Sequence, residues 1–160
     1  MNTCPCGSDV EYSLCCEPYL LGSQLPQTPE ALMRSRYTAY SMANIDYIKK
    51  TMRDKASVGF QGEVARKWAK RVCWINLCVH KAFHESPSKG FVEFTATYVD
   101  GERLQLMHEL SEFKREGGQW FYVNGTHLET QQSSPSKIVR NTQCPCGSQK
   151  KFKNCHGLLK

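Results

Sequence analysis

Residues that can bind a metal lie in two short clusters, one near each end of the 160-residue chain. Each cluster reads Cys-Pro-Cys-Gly-Ser, six further residues, and then Cys-Cys or Cys-His. The predicted ligands are Cys4, Cys6, Cys15 and Cys16 in the first cluster and Cys144, Cys146, Cys155 and His156 in the second. Four sulfur or imidazole donors are what a tetrahedral structural zinc site requires. Because neither set leaves an open coordination position, we predict two structural zinc sites.

The proline and glycine of each cluster support this prediction. Proline fixes one backbone dihedral angle and glycine can adopt a positive φ, so together they can turn both thiolates toward one point. Disulfides or merely buried thiols are the alternative. The chain has no apolar run long enough to span a bilayer and no secretory signal pattern, so we expect a cytoplasmic protein, where thiols stay reduced. Reduced cysteines at a repeated spacing favour metal binding over disulfides.

The two ends of the chain carry opposite charge. The formal net charge is +6, which favours acidic partners of any kind. No basic residue precedes Arg34, whereas no acidic residue follows Glu129. The acidic residues of the first end are Asp9, Glu11 and Glu17, and the basic residues of the last segment are Lys137, Arg140, Lys150, Lys151, Lys153 and Lys160. The second cluster is therefore the one that an acidic partner would meet.

Helices are predicted in the first half of the chain. Thr28 followed by Pro29 is a helix start, with an N-cap and a proline in the first turn. The helical spacing of apolar residues then continues, and a second short helix restarts at Asn44 or Asp46. A third helix is predicted over about residues 61–70.

The apolar period then changes to two, which predicts strands. The predicted strands are residues 71–83, 90–99, 103–116 and 119–128. Asp100-Gly101 and Gly117-Gly118 between β-rich runs are strong hairpin signals. The fold class is therefore α+β, with two or three helices on a curved antiparallel sheet in the shape of a cone.

The domain organisation follows from these elements. Residues 1–20 form an N-terminal zinc knuckle, called here the front knuckle, and residues 144–160 form a C-terminal one, the rear knuckle. The α+β cone spans residues 28–128, after a short connector. Residues 129–143 are polar and are predicted to be a linker that tethers the rear knuckle.

Both ends resemble the SEC-C motif, Cys-x-Cys-x8-Cys-[Cys/His], named for the extreme C-terminus of the translocase motor SecA. The rear copy, "CPCGSQKKFKNCHG", is similar to the SecA tail in its cysteines, histidine, lysines and aromatic residue. The resemblance implies zinc binding and docking on an acidic surface, either the chaperone SecB or the ribosome. The front copy has Cys16 in place of histidine and lacks the lysines, so it keeps the implied metal site without the implied docking.

The whole chain resembles the YchJ family of bacterial proteins, which have a nuclear-transport-factor-two-like (NTF2-like) cone between two SEC-C motifs. The stretches "LMRSRYTAY" (32–40) and "ELSEFKREGGQWFYVNG" (109–125) carry this resemblance. It implies the cone fold and adds little about function.

Inside the cone, the residues considered for chemistry are His108, Glu109, Glu112, His80, Arg34 and Arg36, of which His108, Glu112 and Arg34 are the candidates chosen. His108 and Glu112 share one face of a predicted strand, so together they could act in general acid–base catalysis if that face is concave. Arg34, Arg36 and Tyr37 could line a pocket for an anionic ligand. The structural alternatives are a histidine satisfied by a neighbour and an arginine that closes the helix onto the sheet. No phosphate-binding glycine loop or activated nucleophile is evident, so no further cofactor is predicted.

Two functions remain. The first, favoured over an enzyme, is a zinc-binding interaction protein in which Lys150, Lys151, Phe152 and Lys153 contact an acidic protein surface and the front knuckle is structural. Nucleic-acid binding is a less favoured form of the same function. The alternative is a small-molecule-binding protein or an isomerase- or hydratase-like enzyme that uses a pocket of the cone.

Overall fold

Four antiparallel strands, joined in chain order, form the main sheet of the computed structural model, which describes residues 3–129 and 136–158. The strands are β1 Cys73–Ser86, β2 Lys89–Asp100, β3 Arg103–Glu116 and β4 Gln119–His127. The two predicted hairpins are confirmed, since Gly101 has φ +65° and both Gly117 and Gly118 have positive φ. The meander predicted from the period-two pattern is therefore the observed sheet.

The sheet is curved because β1 is irregular. Its pairing with β2 shifts register at three places, between Trp74 and Asn76, between Val79 and Lys81, and between His84 and Ser86. Each such irregularity bends the strand and increases its twist. The pairing of β2 with β3 is regular throughout, so alternate residues of these two strands face strictly opposite sides.

The helices precede the sheet in the chain and pack on its concave face. They are α1 Glu17–Leu20, α2 Pro29–Ser41, α3 Ile45–Lys50, α4 Asp54–Ser57 and α5 Gly62–Arg71. The predicted caps are confirmed for two of them: Thr28 Oγ1 accepts from the Ala31 amide at 3.1 Å, and Asn44 Oδ1 accepts from the Tyr47 amide at 3.1 Å. The helices α1 and α4 were not predicted, because four residues are too few for a periodic pattern.

The main core lies between α2, α3 and the sheet. Leu32, Ile45 and Ile48 on the helices have no exposed surface, and neither have Val92 on β2 and Phe113 on β3. Burial of this apolar layer is the main contribution to the stability of the cone. Within the described residues, no helix combines the length and apolar content that crossing a membrane requires.

The segment predicted as a linker contains structure of its own. Ser136–Lys137 forms β5, which pairs with the start of β3, and the amide of Ile138 donates to the carbonyl of Glu102 at 2.7 Å. Part of the predicted linker, residues 130–135, lies outside the described residues. Residues 136–138 lie along the sheet and lead toward the rear knuckle, a course that a polar composition does not indicate.

Candidate metal centres

The two cysteine clusters have the same backbone. The amide of Cys4 donates to the carbonyl of Val10 at 2.7 Å, and the amide of Cys144 donates to the carbonyl of Lys150 at 2.8 Å. Within each turn the glycine has a positive φ, +73° at Gly7 and +81° at Gly147. Such angles favour glycine because they place a side chain too close to the backbone. The repeated Cys-Pro-Cys-Gly pattern is therefore a repeated turn.

A short 3₁₀ helix then brings back the last two ligands of each cluster. These helices are Tyr12–Leu14 in the front knuckle and Phe152–Asn154 in the rear knuckle. In both, the amide of the next cysteine donates to the carbonyl of the aromatic residue, at 3.1 Å for Cys15 and 3.0 Å for Cys155. The spacing of six residues between Ser and Cys is what this turn and helix require.

The four sulfur atoms of the front cluster lie within 4.8 Å of one another. The Sγ atom of Cys15 is 3.6 Å from that of Cys6 and 3.9 Å from that of Cys16. A tetrahedral zinc with metal–sulfur bonds of about 2.3 Å places its sulfur ligands roughly 3.8 Å apart. The hydroxyl of Ser8 lies 3.1 Å from the Cys15 sulfur and can donate to a thiolate there. The residues present fit a four-coordinate metal ion.

The rear cluster has the same dimensions. The sulfurs of Cys146 and Cys155 are 3.6 Å apart, and the ring Nδ1 of His156 lies 3.2 Å from the Cys144 sulfur and 3.4 Å from the Cys155 sulfur. His156 therefore turns Nδ1, not Nε2, toward the common centre. All four donor atoms again lie within 4.8 Å of one another, so the second cluster can also hold a metal ion.

Metal binding needs thiolates and a neutral imidazole, and the pKa shifts within the two clusters are mixed in this respect. Hydrogen bonding with Cys16 lowers the pKa of Cys6 to about 4, and the same contact raises the pKa of Cys16. In the rear cluster, burial raises the pKa of Cys144 to about 11. Burial lowers the pKa of His156, which keeps its imidazole neutral. A dication would stabilise every thiolate of each set.

The front knuckle is joined to α2 by hydrogen bonds. Arg34 donates from Nη1 to the carbonyl of Cys6 at 2.9 Å and from Nε to the carboxylate of Glu30 at 2.9 Å. The sulfur of Cys4 lies 3.8 Å from the hydroxyl of Thr38. Arg34, predicted as a candidate for binding an anionic ligand, is thus occupied in holding the knuckle on the helix.

The rear knuckle packs on the sheet through an apolar cluster. The ring of Phe152 is buried together with Ile75 of β1 and Val99 of β2. At the edge of this contact the thiol of Cys73 donates to the carbonyl of His156 at 3.4 Å. Phe152 was predicted to contact a partner, but its residual exposure of 7% leaves its ring unavailable for that role. The alternation of charged and apolar residues in "KKFK" does not reveal on which side the ring is covered.

Comparison with known proteins finds matches in three parts of the chain. Residues 28–125 match the family described as YchJ, middle NTF2-like domain, and residues 2–18 and 140–158 each match the SEC-C motif. The chain belongs to the YchJ family. Its cone is therefore NTF2-like, and its two metal clusters are SEC-C motifs.

Two solved structures resemble this YchJ-family chain over most of its length. The solution structure of a SEC-C motif containing protein from Rhodopseudomonas palustris is 36% identical and covers 80% of this chain and 100% of its own, with a TM-score of 0.73. The crystal structure of a SEC-C motif containing protein from Psychrobacter arcticus is 29% identical and covers 99% of this chain and 97% of its own, with a TM-score of 0.69.

His108 and Glu112, candidates for acid–base chemistry if their face is concave, lie on the outer face of the YchJ-family cone. His108 Nε2 is bonded to the Glu93 carboxylate at 2.8 Å, and its ring lies 5.3 Å from that of His80, on the outer face of the sheet. Glu112 lies four positions after His108 on β3 and therefore on the same face of the sheet, where its carboxylate pairs with Lys89 at 3.5 Å. The alternation of apolar and polar residues on β3 gave no sign of which face the helices cover.

The residues that do face the interior are the neighbours of these candidates. Glu109, not Glu112, and Arg36, not Arg34, are both buried and line the interior of the cone. On β3, Glu109 and Glu112 are an odd number of positions apart, so they lie on opposite faces of the strand. On α2 a shift by two positions turns a side chain by more than half a helical turn. Glu109 and Arg36 are both among the residues considered from the sequence, but only the packing of the helices on the sheet separates them from the residues of the opposite face.

Proposed function

We propose that this chain is a zinc-binding interaction protein whose rear knuckle docks on an acidic protein surface, with the front knuckle serving mainly as a structural clamp. The observation that carries the proposal is a contrast between two sites of the same geometry. The front site is bonded to α2 through Arg34, whereas the rear site presents lysines to solvent.

Zinc is the metal that the donor sets favour. Soft thiolates with at most one imidazole, in a closed tetrahedral arrangement, select zinc over the harder divalent cations. A zinc ion bound in each knuckle would cross-link the Cys-Pro-Cys-Gly turn to the 3₁₀ helix that follows it. Because each knuckle is too short to form its own core, metal binding and knuckle folding should be one event.

The lysines of the rear knuckle supply the docking charge. Lys150 and Lys151 are exposed and Lys153 is half-buried. Across residues 3–129 and 136–158, no carboxylate lies within ion-pairing distance of any of the three. Unpaired lysines on a rigid loop favour encounter with an acidic surface such as a SecB-type chaperone or the ribosome.

The metal part is tested by native mass spectrometry of the full chain with and without a chelator. The expected result is two zinc ions per chain, and one in each of the variants Cys6→Ser and Cys146→Ser. A folded wild-type chain that carries no metal when purified and takes up none when zinc is added would overturn this part of the proposal.

The docking part is tested by binding of the zinc-loaded chain to purified SecB and to ribosomes at two salt concentrations. The triple variant Lys150→Glu, Lys151→Glu, Lys153→Glu should lose binding. A matched control, Lys49→Glu, Lys50→Glu, Lys55→Glu, changes the net charge equally at exposed positions of the cone and should retain most of it. Equal loss in both variants would refute a specific rear-knuckle surface, and competition by RNA would identify nucleic acid as the true partner.

A further inference from the structure

A cavity of about 240 Å³ lies between α2, α5 and the concave face of the sheet. His127, which is exposed at the end of β4, is one of its lining residues. Two charged side chains of opposite sign line it, Arg36 and Glu109, each with an exposed fraction of only 7%. Buried charges are uncommon because their desolvation is costly, so a pair of them beside a cavity calls for an explanation.

The carboxylate of Glu109 is held in place by two hydroxyl donors. Ser111 Oγ donates to Glu109 Oε1 at 2.6 Å, and the Tyr122 hydroxyl donates to the same oxygen at 2.9 Å. The other oxygen, Oε2, has no hydrogen bond within the described residues. No buried side-chain nitrogen or oxygen there lacks a partner, so Oε2 is at the accessible surface of the cavity. Glu109 therefore offers one oriented acceptor.

The backbone of β4 makes room for this carboxylate. A Cβ atom at Gly125 would collide with the Glu109 carboxylate and with the Tyr122 hydroxyl. The absence of a side chain at this strand position thus permits the arrangement of Glu109 and Tyr122. Glycine weakens a strand interior, and it marks sites where another group approaches the backbone closely.

The guanidinium of Arg36 is held in a similar way. Its Nη1 donates to the carbonyl of Ile48 at 2.9 Å and to the hydroxyl of Thr51 at 2.7 Å, and its carbon lies 4.5 Å from the centre of the Tyr122 ring. Burial lowers the pKa of Arg36, and nearby Tyr40, Tyr122 and Tyr47, with Glu109, counter this effect. Its Nε and Nη2 bond to no described residue and, by the same reasoning as for Oε2, are accessible donors.

Aromatic rings form the remaining wall. The rings of Trp68 and Trp74 are 5.3 Å apart at an interplanar angle of 86°, and Tyr37 and Tyr40 contact them edge to face or tilted. Flat apolar surfaces of this kind bind aromatic groups well. The cavity thus combines an aromatic wall, an anionic acceptor and a cationic donor.

We propose that this cavity is a binding site for a small ligand that is neutral overall, with an aromatic body, a hydrogen-bond donor for Glu109 and an acceptor for Arg36. Since the charges of the two residues balance, a ligand with a net charge would lose hydration without a net counter-charge. A planar aromatic amide has the required chemistry. This site is separate from the docking surface of the rear knuckle.

The test follows the indole N–H signals of ¹⁵N-labelled, zinc-loaded full chain in two-dimensional NMR. Benzamide, benzoate and benzylamine are the probes, since they share one ring and differ in charge. Benzamide should shift the signals of Trp68 and Trp74 in a saturable way, with a dissociation constant on the order of 1 mM for so small a molecule. Trp120 donates its indole N–H to the carbonyl of Gln27, outside the cavity, and its signal should stay in place.

Charge discrimination is the second readout. Benzoate and benzylamine should bind at least about tenfold more weakly than benzamide. The variant Glu109→Gln keeps the size of the side chain and removes its charge, which leaves Arg36 uncompensated, so the preference should change to benzoate. The proposal is overturned if no probe shifts Trp68 or Trp74, if all three bind alike, or if a folded Glu109→Gln variant keeps the wild-type order. If the Glu109→Gln variant does not fold, the order of the three probe affinities in the wild-type protein alone tests the proposal.

Discussion

Replacing Phe152 by alanine is expected to release the rear knuckle from the cone while leaving its metal site intact. Truncation of a buried phenylalanine costs about 3–5 kcal/mol. Part of the contact of Phe152 is with Cys144 of its own knuckle and survives undocking. We therefore assign about 2–3 kcal/mol to the contact with Ile75 and Val99, which raises the undocked fraction roughly 30- to 150-fold.

Alkylation of Cys73 measures this fraction. Cys73 is 7% exposed and its thiol donates to the carbonyl of His156 under the docked knuckle, so iodoacetamide should reach it mainly after undocking. Peptide mass mapping of zinc-loaded protein should show Cys73 labelled 30- to 150-fold faster in Phe152→Ala than in the wild type. The exposed Cys78 serves as the internal reference in each sample.

The matched control is Tyr12→Ala, which removes the aromatic residue at the same place in the front knuckle. It should leave the labelling rate of Cys73 unchanged. Docking of the rear knuckle on the sheet through Phe152 is refuted if wild-type Cys73 reacts as fast as Cys78. It is also refuted if Phe152→Ala has no effect on the rate while the metal content is unchanged.

Three further predictions concern the cone and its clamp. Arg34→Ala should lower the free energy of unfolding by about 1–2 kcal/mol, because a charged donor to the carbonyl of Cys6 is lost; urea denaturation measures it, and a change below about 0.5 kcal/mol would contradict the clamp. Gly125→Ala should cost about 1–3 kcal/mol in the same assay, because the new methyl group collides with Glu109; an unchanged midpoint would argue against this packing. Burial raises the pKa of Tyr47 from 10.0 to about 12, so the folded state holds this proton more tightly and stability falls as pH rises from about 10 to 12. In Tyr47→Phe this alkaline loss should be smaller, and an identical pH profile would show that Tyr47 does not cause it.

Much of the fold was predictable because its signals are local. The helix start at Thr28 is predicted from two adjacent residues, an N-cap and a proline. The hairpins are predicted from glycines between runs in which apolar and polar residues alternate. The same holds for the metal clusters, since the turn and the 3₁₀ helix that join Cys4 to Cys16 lie within one short segment. The four-residue helices and β5 could not be predicted, because tertiary contacts and not periodicity stabilise them.

The interior residues show the opposite case. On β3 the sequence placed His108 and Glu112 on one face and Glu109 on the other, and this alternation is correct. Which face the helices cover depends on the packing of α2 and α5 against the curved sheet. The packing therefore leaves the half-buried His108 and Glu112 on the outer face and places the buried Glu109, one and three positions away from them, at the cavity.

The sequence by itself determined the family, the two metal clusters, the order of helices and strands and the opposite charges of the two ends, because each of these depends on residue type and short spacing. Only the tertiary structure decided that Phe152 is buried on the sheet, that Arg34 clamps the front knuckle and that Arg36 and Glu109 face one cavity. These contacts join residues far apart in the chain, so they depend on how the elements pack and not on any local pattern.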